Sequence, residues 1–378
     1  MTNNVNNSFA GLPTALVREI LDKSGKIADD TYAPLNEING SRESLRNQLK
    51  ENSLIQVQDA SGTDDVLTSC GIDGAHSFEK FIASHFACCA AFAAEGLTPQ
   101  SGKTHWDNPA HKAVFHTTRK TPENEKILYA VMMEMQAELA AGAPHDIVFL
   151  NGSYITPFAI FMDILKYALG TKDSIISKEF LGRVKPSVMA FKQIFTSGSA
   201  AKIWTGIPKS SAKRELSVKL NLPPKYDEST LFTLLLSPGE YTSPVPVDQS
   251  ELQRIKAIPI NDAAFSSIRD NIAAAIANIQ VIHFRPQSWT RALRIEIDSS
   301  VSENSQRLKQ LLDTIKFQCG SPGVSEPYPV YSAEKLASNM IKAIPAIRKM
   351  AASQIASRHK DDTGDIFSLI MNMDKNSG

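Results

Sequence analysis

Membrane-length apolar runs, paired cysteines and an excess of charge of one sign are all missing from this 378-residue chain. The most apolar stretch, Ile155–Leu169, carries Asp163 and Lys166 and is too short to cross a bilayer, so no membrane partner is expected. Met1–Ser8 is polar and Asn-rich, without the basic and apolar regions of a secretory signal, which reads as a cytoplasmic protein. Cys70, Cys88, Cys89 and Cys319 include no C-x-x-C pair. That excludes a zinc ribbon or a disulfide framework and leaves buried, reduced thiols. Forty Lys and Arg balance forty Asp and Glu, so an overall basic polymer-binder is excluded and any nucleic-acid site must be local. No internal repeat or long low-complexity tract is present. A chain of this length buries enough surface to need neither staples nor structural metal.

What is there alternates between the two periodicities. Pro13–Lys23 and Ser44–Lys50, with Ser41 as N-cap, read as a helical lead-in over residues 1–60. Leu67–Ile72 is a short apolar run closed by Asp73-Gly74, a buried strand and a tight turn. Phe78–Ala94 suits either a helix or a hairpin. Pro122–Ala141, capped by Thr121, carries the apolar stripe Ile127, Leu128, Val131, Met132, Met135 and Leu139. The uninterrupted Ile147–Leu150 suits a central strand covered on both faces. A helix over Pro157–Leu169, a strand over Ser174–Ser177 and a helix over Met189–Phe195 complete the alternation of an α/β sheet.

Residues 61–201 thus read as the first part of a core. Residues 202–275 read as an insertion or flexible subdomain with one strand-like run, Thr230–Leu236, and 276–360 as the returning part of the core. In that last part Ile279–Phe284 and Ala292–Ile297 form a hairpin, Glu303–Phe317 is an amphipathic helix, and Ala333–Ser357 is a long helix interrupted at Pro345. A tail with a short helix occupies 361–378.

Four positions can carry chemistry. Asp73 follows a strand and is flanked by Gly74, where a ligand can approach the backbone; an Asp-Gly turn explains it equally simply. Glu134 shares a helical face with Ile127, Val131 and Glu138, beside the stripe that packs on the sheet, and is either a rim acid or one held inside by a cation. Asn151-Gly152 repeats the Asp73-Gly74 pattern after a second buried strand. Glu334 lies near the start of the last long helix, where a solvated acid is also favoured by the helix dipole. A strand-end acid, a helical acid, a strand-end amide and a terminal-helix acid, in that order, are the layout of a ribonuclease H-like nuclease centre.

The sequence resembles the NurA nuclease family in Ile72-Asp73-Gly74 with Ser77 nearby, Glu134 upstream of Val148-Phe149-Leu150-Asn151-Gly152-Ser153, Ile176-Ser177-Lys178, and the segment from Tyr328-Pro329 to Ala337. The resemblance spans residues 67 to 345 and implies an α/β, ribonuclease H-like mixed sheet flanked by helices. It also implies Mn²⁺-dependent (or Mg²⁺-dependent) digestion of DNA, and a homodimer working with a hexameric HerA-type ATPase that translocates DNA, in end processing or in defence against foreign DNA. By the same resemblance Asp73 and Glu134 are metal ligands, Asn151 stands where the family has Asp, and Glu334 falls where it usually has His. Two divalent ions roughly 3.5–4 Å apart activate water and neutralise the scissile phosphate, for which an oxygen-rich cage is suited. Lys178 is a candidate to touch that phosphate or orient water, against the alternative of a surface lysine; His76 and Tyr328 are candidates to support the ligands. Because an amide brings no charge, Asn151 predicts weakened metal binding and reduced cleavage, and the alternative reading is an inactive nuclease-fold module that binds DNA or caps the translocase.

Other signals carry less. Gly102-Lys103-Thr104 follows Gly96 by one residue too many for a phosphate-binding loop. Ser199-x-x-Lys202 and Ser210-x-x-Lys213 lack the companion motifs of acyl-enzymes. His105, His111 and His116 lack helical zinc-ligand spacing. Basic groups at Arg183–Lys192, Lys202–Lys219 and Lys342–Lys360 can line a DNA channel or simply solubilise the chain, and Phe284, Arg285 and Trp289 can stack bases or fill a hairpin core.

Overall fold

The computed structural model describes residues 9, 11–58, 66–81, 84–100, 102–171, 174–197, 202–209, 211–220, 227–258 and 263–358. The lead-in is one helix, α1 (Thr14–Glu51). Ser41 does not cap a second helix; it lies inside α1, where its hydroxyl donates to the Glu37 carbonyl at 2.9 Å. After β1 (Ile55–Val57), two long strands, β2 (Ser69–Phe81) and β3 (Ser84–Glu95), form a hairpin that continues into β4 (Ala110–Thr118). The described residues of Phe78–Ala94 are therefore all strand, Phe78–Phe81 in β2 and Ser84–Ala94 in β3. Asp73-Gly74 is not a turn but mid-strand, opposite Phe92 and Ala91.

The helix α2 (Pro122–Gly142) starts as its sequence predicts, with the Thr121 side chain accepting from the Asn124 N–H. It leads to β5 (Ile147–Leu150) and α3 (Thr156–Gly170). The strand expected at Ser174–Ser177 is instead the start of α4 (Ile175–Thr196), whose buried Ile176, Phe180, Phe191 and Ile194 recur at helical spacing. The apolar pair Ile175-Ile176 is too short to distinguish the two periods.

The next strand is β6 (Ile203–Gly206), followed by α5 (Glu215–Lys219), α6 (Glu228–Leu235), β7 (Glu240–Thr242), β8 (Val245–Pro246), α7 (Ser250–Ala257) and α8 (Ala263–Ile276). Thr230–Leu236 is thus helical rather than extended, started by Asp227, whose carboxylate accepts from the Thr230 N–H at 2.8 Å. A central strand of the sheet lies within the segment read as an insertion. The chain closes with the expected hairpin of β9 (Ile279–Phe284) and β10 (Leu293–Asp298), then α9 (Ser299–Ser302), α10 (Ser305–Gln318) and α11 (Tyr328–Arg358), which contains Pro345. The tail after Asp361, together with Ser199, Ser210 and Lys360, lies outside the described residues.

Among the described residues ten strands form one mixed sheet in the order β1-β7-β9-β10-β6-β5-β2-β3-β4, with β8 paired to β9 off that path. Only β2, β5 and β6 run parallel, with Ile72 opposite Leu150 and Leu150 opposite Gly206. Helices cover both faces. Cys70, Ile72, Cys89 and Ala91 join the core under α2, α3 and α4, while Phe149, Ile282, Ile295 and Ile297 pack with Leu311 and Ile315 of α10 and Val330 of α11. All four cysteines are free and buried. No helix among the described residues is long and apolar enough to cross a membrane.

Candidate active site

β5 and β6 end together and the parallel pairing of β2 stops beside them, although β2 itself runs on against β3. The Asn151 N–H donates to the Ile72 carbonyl at 2.9 Å and the Ile207 N–H to the Leu150 carbonyl at 3.0 Å. Asp73, Asn151 and the segment after β6 therefore share the carboxyl edge of the parallel strands, where open α/β sheets hold ligands.

Three glycine contacts set the rest. A Cβ on Gly71 would lie 2.3 Å from the Pro329 carbonyl carbon, so the start of α11 rests directly on β2. Strand alternation puts Asp73 on that same face, and α11, packed through Val330, Ala333 and Ala337, brings Glu334 to it. A Cβ on Gly206 would lie 2.5 Å from the Tyr154 nitrogen, so the loop after β5 is pressed onto β6. That loop is pinned from below by Glu296, which accepts from the Ser153 hydroxyl and the Tyr154 N–H, each at 2.8 Å. Glu296 is itself paired to the buried Arg294.

The resulting cluster is electrostatically strained around Asp73. Burial pushes its carboxyl up to about 6, hydrogen bonds from Asn151 and the Gly74 N–H pull it back, and Glu334 and Lys209 act in opposite directions through their charges. Lys209, three residues beyond β6, donates to Glu326 at 2.9 Å and to Glu334. Burial opposes its charge, yet these two acids hold its ammonium above the usual value. Burial raises Glu326 as well.

Glu134 is elsewhere. The Gly74 side of β2 faces Met132 and Gln136 of α2, so α2 lies on the face of the sheet opposite Asp73 and Glu334. Glu134 is completely buried there, with the charges of Arg183, Glu138 and Glu179 around it. Its carboxylate oxygens make no hydrogen bond of good geometry among the described residues, and burial pushes it up to about 10 against the opposing pull of Arg183 and the nearby Ser187 hydroxyl. It is a neutral acid inside the core, and the four-residue convergence expected from the sequence is reduced to Asp73, Asn151 and Glu334. Lys178 is an exposed residue in the first turn of α4 rather than a strand-end group. His76 packs at a tilt on the Tyr129 ring, centroids 5.1 Å apart, and Tyr328 borders a separate cavity beside Phe317 and Val324.

The architecture has known counterparts. The crystal structure of the NurA nuclease from Sulfolobus solfataricus aligns with 91% of this chain and 98% of its own, with a TM-score of 0.58 at 15% identity. A NurA structure with manganese aligns over 88% of this chain and 98% of its own (TM-score 0.53, 12% identity). One bound to dAMP and manganese aligns over 83% and 92% (TM-score 0.52, 10% identity). The fold is that of the NurA nucleases. No family model matches the sequence, and no curated protein matches it.

On this NurA-like sheet the donors around Asp73 are all oxygens, two carboxylates and an amide, with the Glu326 carboxylate beyond Lys209. Such a set suits a hard divalent cation, and the desolvated Asp73 is short of the positive charge one would bring. Among the described residues no group of three or more His, Cys, Asp or Glu stands close enough to hold an ion. Lys209 and Glu326 were missed as site residues. Their signals were weak ones: Lys209 follows a Gly that ends a buried strand, and Glu326 precedes the Pro327-Tyr328 start of a helix.

Proposed function

We propose that this protein is a divalent-cation-dependent DNA nuclease with low intrinsic activity, in which Asp73, Asn151 and Glu334 hold Mn²⁺ or Mg²⁺. The observation that supports it best is the meeting of Asp73 and Asn151 where the parallel pairing of β2 with β5 stops, near Glu334. A divalent cation held there would supply charge neutralisation at a scissile phosphate and a lowered pKa for a bound water. The chain's own residues do the remaining work. Asp73 supplies the localised negative charge, and Asn151 holds that carboxylate by its amide. Lys209 orients Glu334 and Glu326 and is placed to meet a phosphate oxygen.

Homodimerisation and action with a hexameric HerA-type DNA translocase, in end processing or in defence, complete the proposal. Two surfaces support partner binding. Leu16, Ile20, Leu21 and Ile27 are exposed along the first half of α1, and β4 is an edge strand among the described residues, carrying the exposed Phe115.

A second reading, a nuclease-fold module that binds DNA without cutting it, is favoured by the Lys209 ammonium, which already pairs with Glu334, one of the proposed cation ligands, and with Glu326. Digestion of end-labelled DNA with Mn²⁺ decides between them, comparing the natural chain, Asn151→Asp, Lys209→Ala and Asp73→Ala. Activity in any of the first three, abolished by Asp73→Ala, is the expected result. Folded proteins that bind DNA, bind no Mn²⁺ by calorimetry and never cut would leave only the second reading.

A further inference from the structure

Strand β10 alternates apolar residues with charged ones. Leu293, Ile295 and Ile297 pack in the core with α10, so alternation turns Arg294 and Glu296 to the other face of the sheet, and each is 1% exposed. There the Arg294 guanidinium bridges two carboxylates. It donates to Glu296 through Nε at 3.0 Å, and to the two oxygens of Glu215, at the start of α5, at 2.7 and 2.8 Å. Glu228 stands 3.8 Å from it. A buried ion network is a weak source of stability, and setting the register of the segments it joins is its best-attested use.

One segment joined here is the loop that carries Asn151. Four donors converge on the Glu296 carboxylate: Arg294 Nε and Nη2, each 3.0 Å from Oε1, and the Ser153 hydroxyl and Tyr154 N–H, each 2.8 Å from Oε2. A carboxylate accepts from all four, whereas a carboxamide sets its own NH₂ against two of them. The Glu296 backbone carbonyl also accepts from the Thr205 hydroxyl at 3.1 Å, which fixes the anchor to β6. Between Asn151 and Ser153 lies Gly152 at φ +137°, a conformation open to glycine and little else. A loop that turns on glycine has little stiffness of its own, so the contacts at Ser153 and Tyr154 decide where Asn151 sits. With it they decide the hydrogen bond that Asn151 makes to Asp73. We propose that Glu296 is a positioning residue: held by Arg294, it fixes the backbone at Ser153 and Tyr154 so that Asn151 meets Asp73, and it thereby sets the affinity of the site for its cation. The step to the cation rests on the nuclease reading; the placing of Asn151 does not.

The test reads the two steps separately. In the metal-free full chain labelled with ¹⁵N-asparagine, the Asn151 side-chain amide signal is identified by its loss in Asn151→Asp. Glu296→Gln and Ser153→Ala are expected to move that signal towards the position of a free asparagine amide. Mn²⁺ affinity in calorimetric titration falls about tenfold or more in Glu296→Gln. It falls less in Ser153→Ala, which loses a single hydroxyl and serves if Glu296→Gln does not fold. Glu228→Gln is the control, since it alters the same buried network without touching the loop: the Asn151 signal and the Mn²⁺ affinity stay as they are, whatever happens to stability in urea. An Asn151 signal unmoved in the folded variants overturns the proposal. So does a moved signal with unchanged Mn²⁺ affinity, or a Glu228→Gln protein that shifts both readings as far as Glu296→Gln. A moved signal in a protein that binds no Mn²⁺ in any form, Asn151→Asp included, sustains the placing of Asn151 and rejects the nuclease reading instead.

Discussion

Asp73 and Glu134 are both carboxylic acids drawn out of water by the same sheet, and their fates differ because of what lies on each face. On the α11 face Asp73 is half-buried, held by Asn151 and a backbone N–H, and raised only to about 6. On the α2 face Glu134 is fully buried without a hydrogen bond of good geometry and raised to about 10. At neutral pH the first is mostly an anion and the second mostly an uncharged acid. Burial alone does not make a carboxylate functional; burial beside donors and an approach for ligands does.

The contrast can be broken by experiment, most forcefully through activity. Asp73→Ala is expected to lower Mn²⁺-dependent cleavage by about a hundredfold or more, whereas Glu134→Gln leaves it within about twofold. Rates on end-labelled DNA, with circular dichroism to confirm folding, read both. A large loss in folded Glu134→Gln would return that residue to the active site.

The Asp73 face depends on α11 resting on β2, so Gly71→Ala is expected to destabilise the protein by about 3 kcal/mol in urea unfolding. Its new Cβ meets backbone, which cannot swing aside. Asn151→Asp adds the missing charge and is expected to tighten Mn²⁺ binding by about tenfold in calorimetric titration, an effect with no counterpart at Glu134.

The smallest effect is on stability. A folded-state carboxyl raised above its unfolded value costs nothing below about pH 4.5. Above that pH the unfolded chain ionises while the folded protein keeps its proton, so the native state loses stability as pH rises. Glu134→Gln removes that loss, so its stability relative to the natural chain should improve steadily as pH rises from about 4.5 to 8. The two should converge near pH 4.5 in urea titrations. A constant difference across that range would mean that Glu134 is ionised in the core.

Much of the fold was legible because its signals are local. Thr121-Pro122 and the stripe behind it mark α2, four apolar residues mark β5, and paired runs mark the β9–β10 hairpin. The failures are local ambiguities settled at a distance. Ile175-Ile176 fits a strand until Phe180 and Phe191 find their places beside α2, and Thr230–Leu236 alternates weakly until Asp227 caps it as a helix. Asp73-Gly74 looks like a turn in isolation, yet it is extended because β3 and the following part of β2 pair through it.

The site divides in the same way. Chain order alone marked Asp73, Asn151 and Glu334 as oxygen donors beside strand ends and a helix start, since glycine and the end of an apolar run are visible without coordinates. Only the tertiary structure decided that Glu134 lies beneath the opposite face and that Lys209 and Glu326 join the cluster. One residue of strand or half a turn of helix reverses the face a side chain points to. Which face meets α11 and which meets α2 is set by contacts such as Gly71 against Pro329, between residues far apart in the chain.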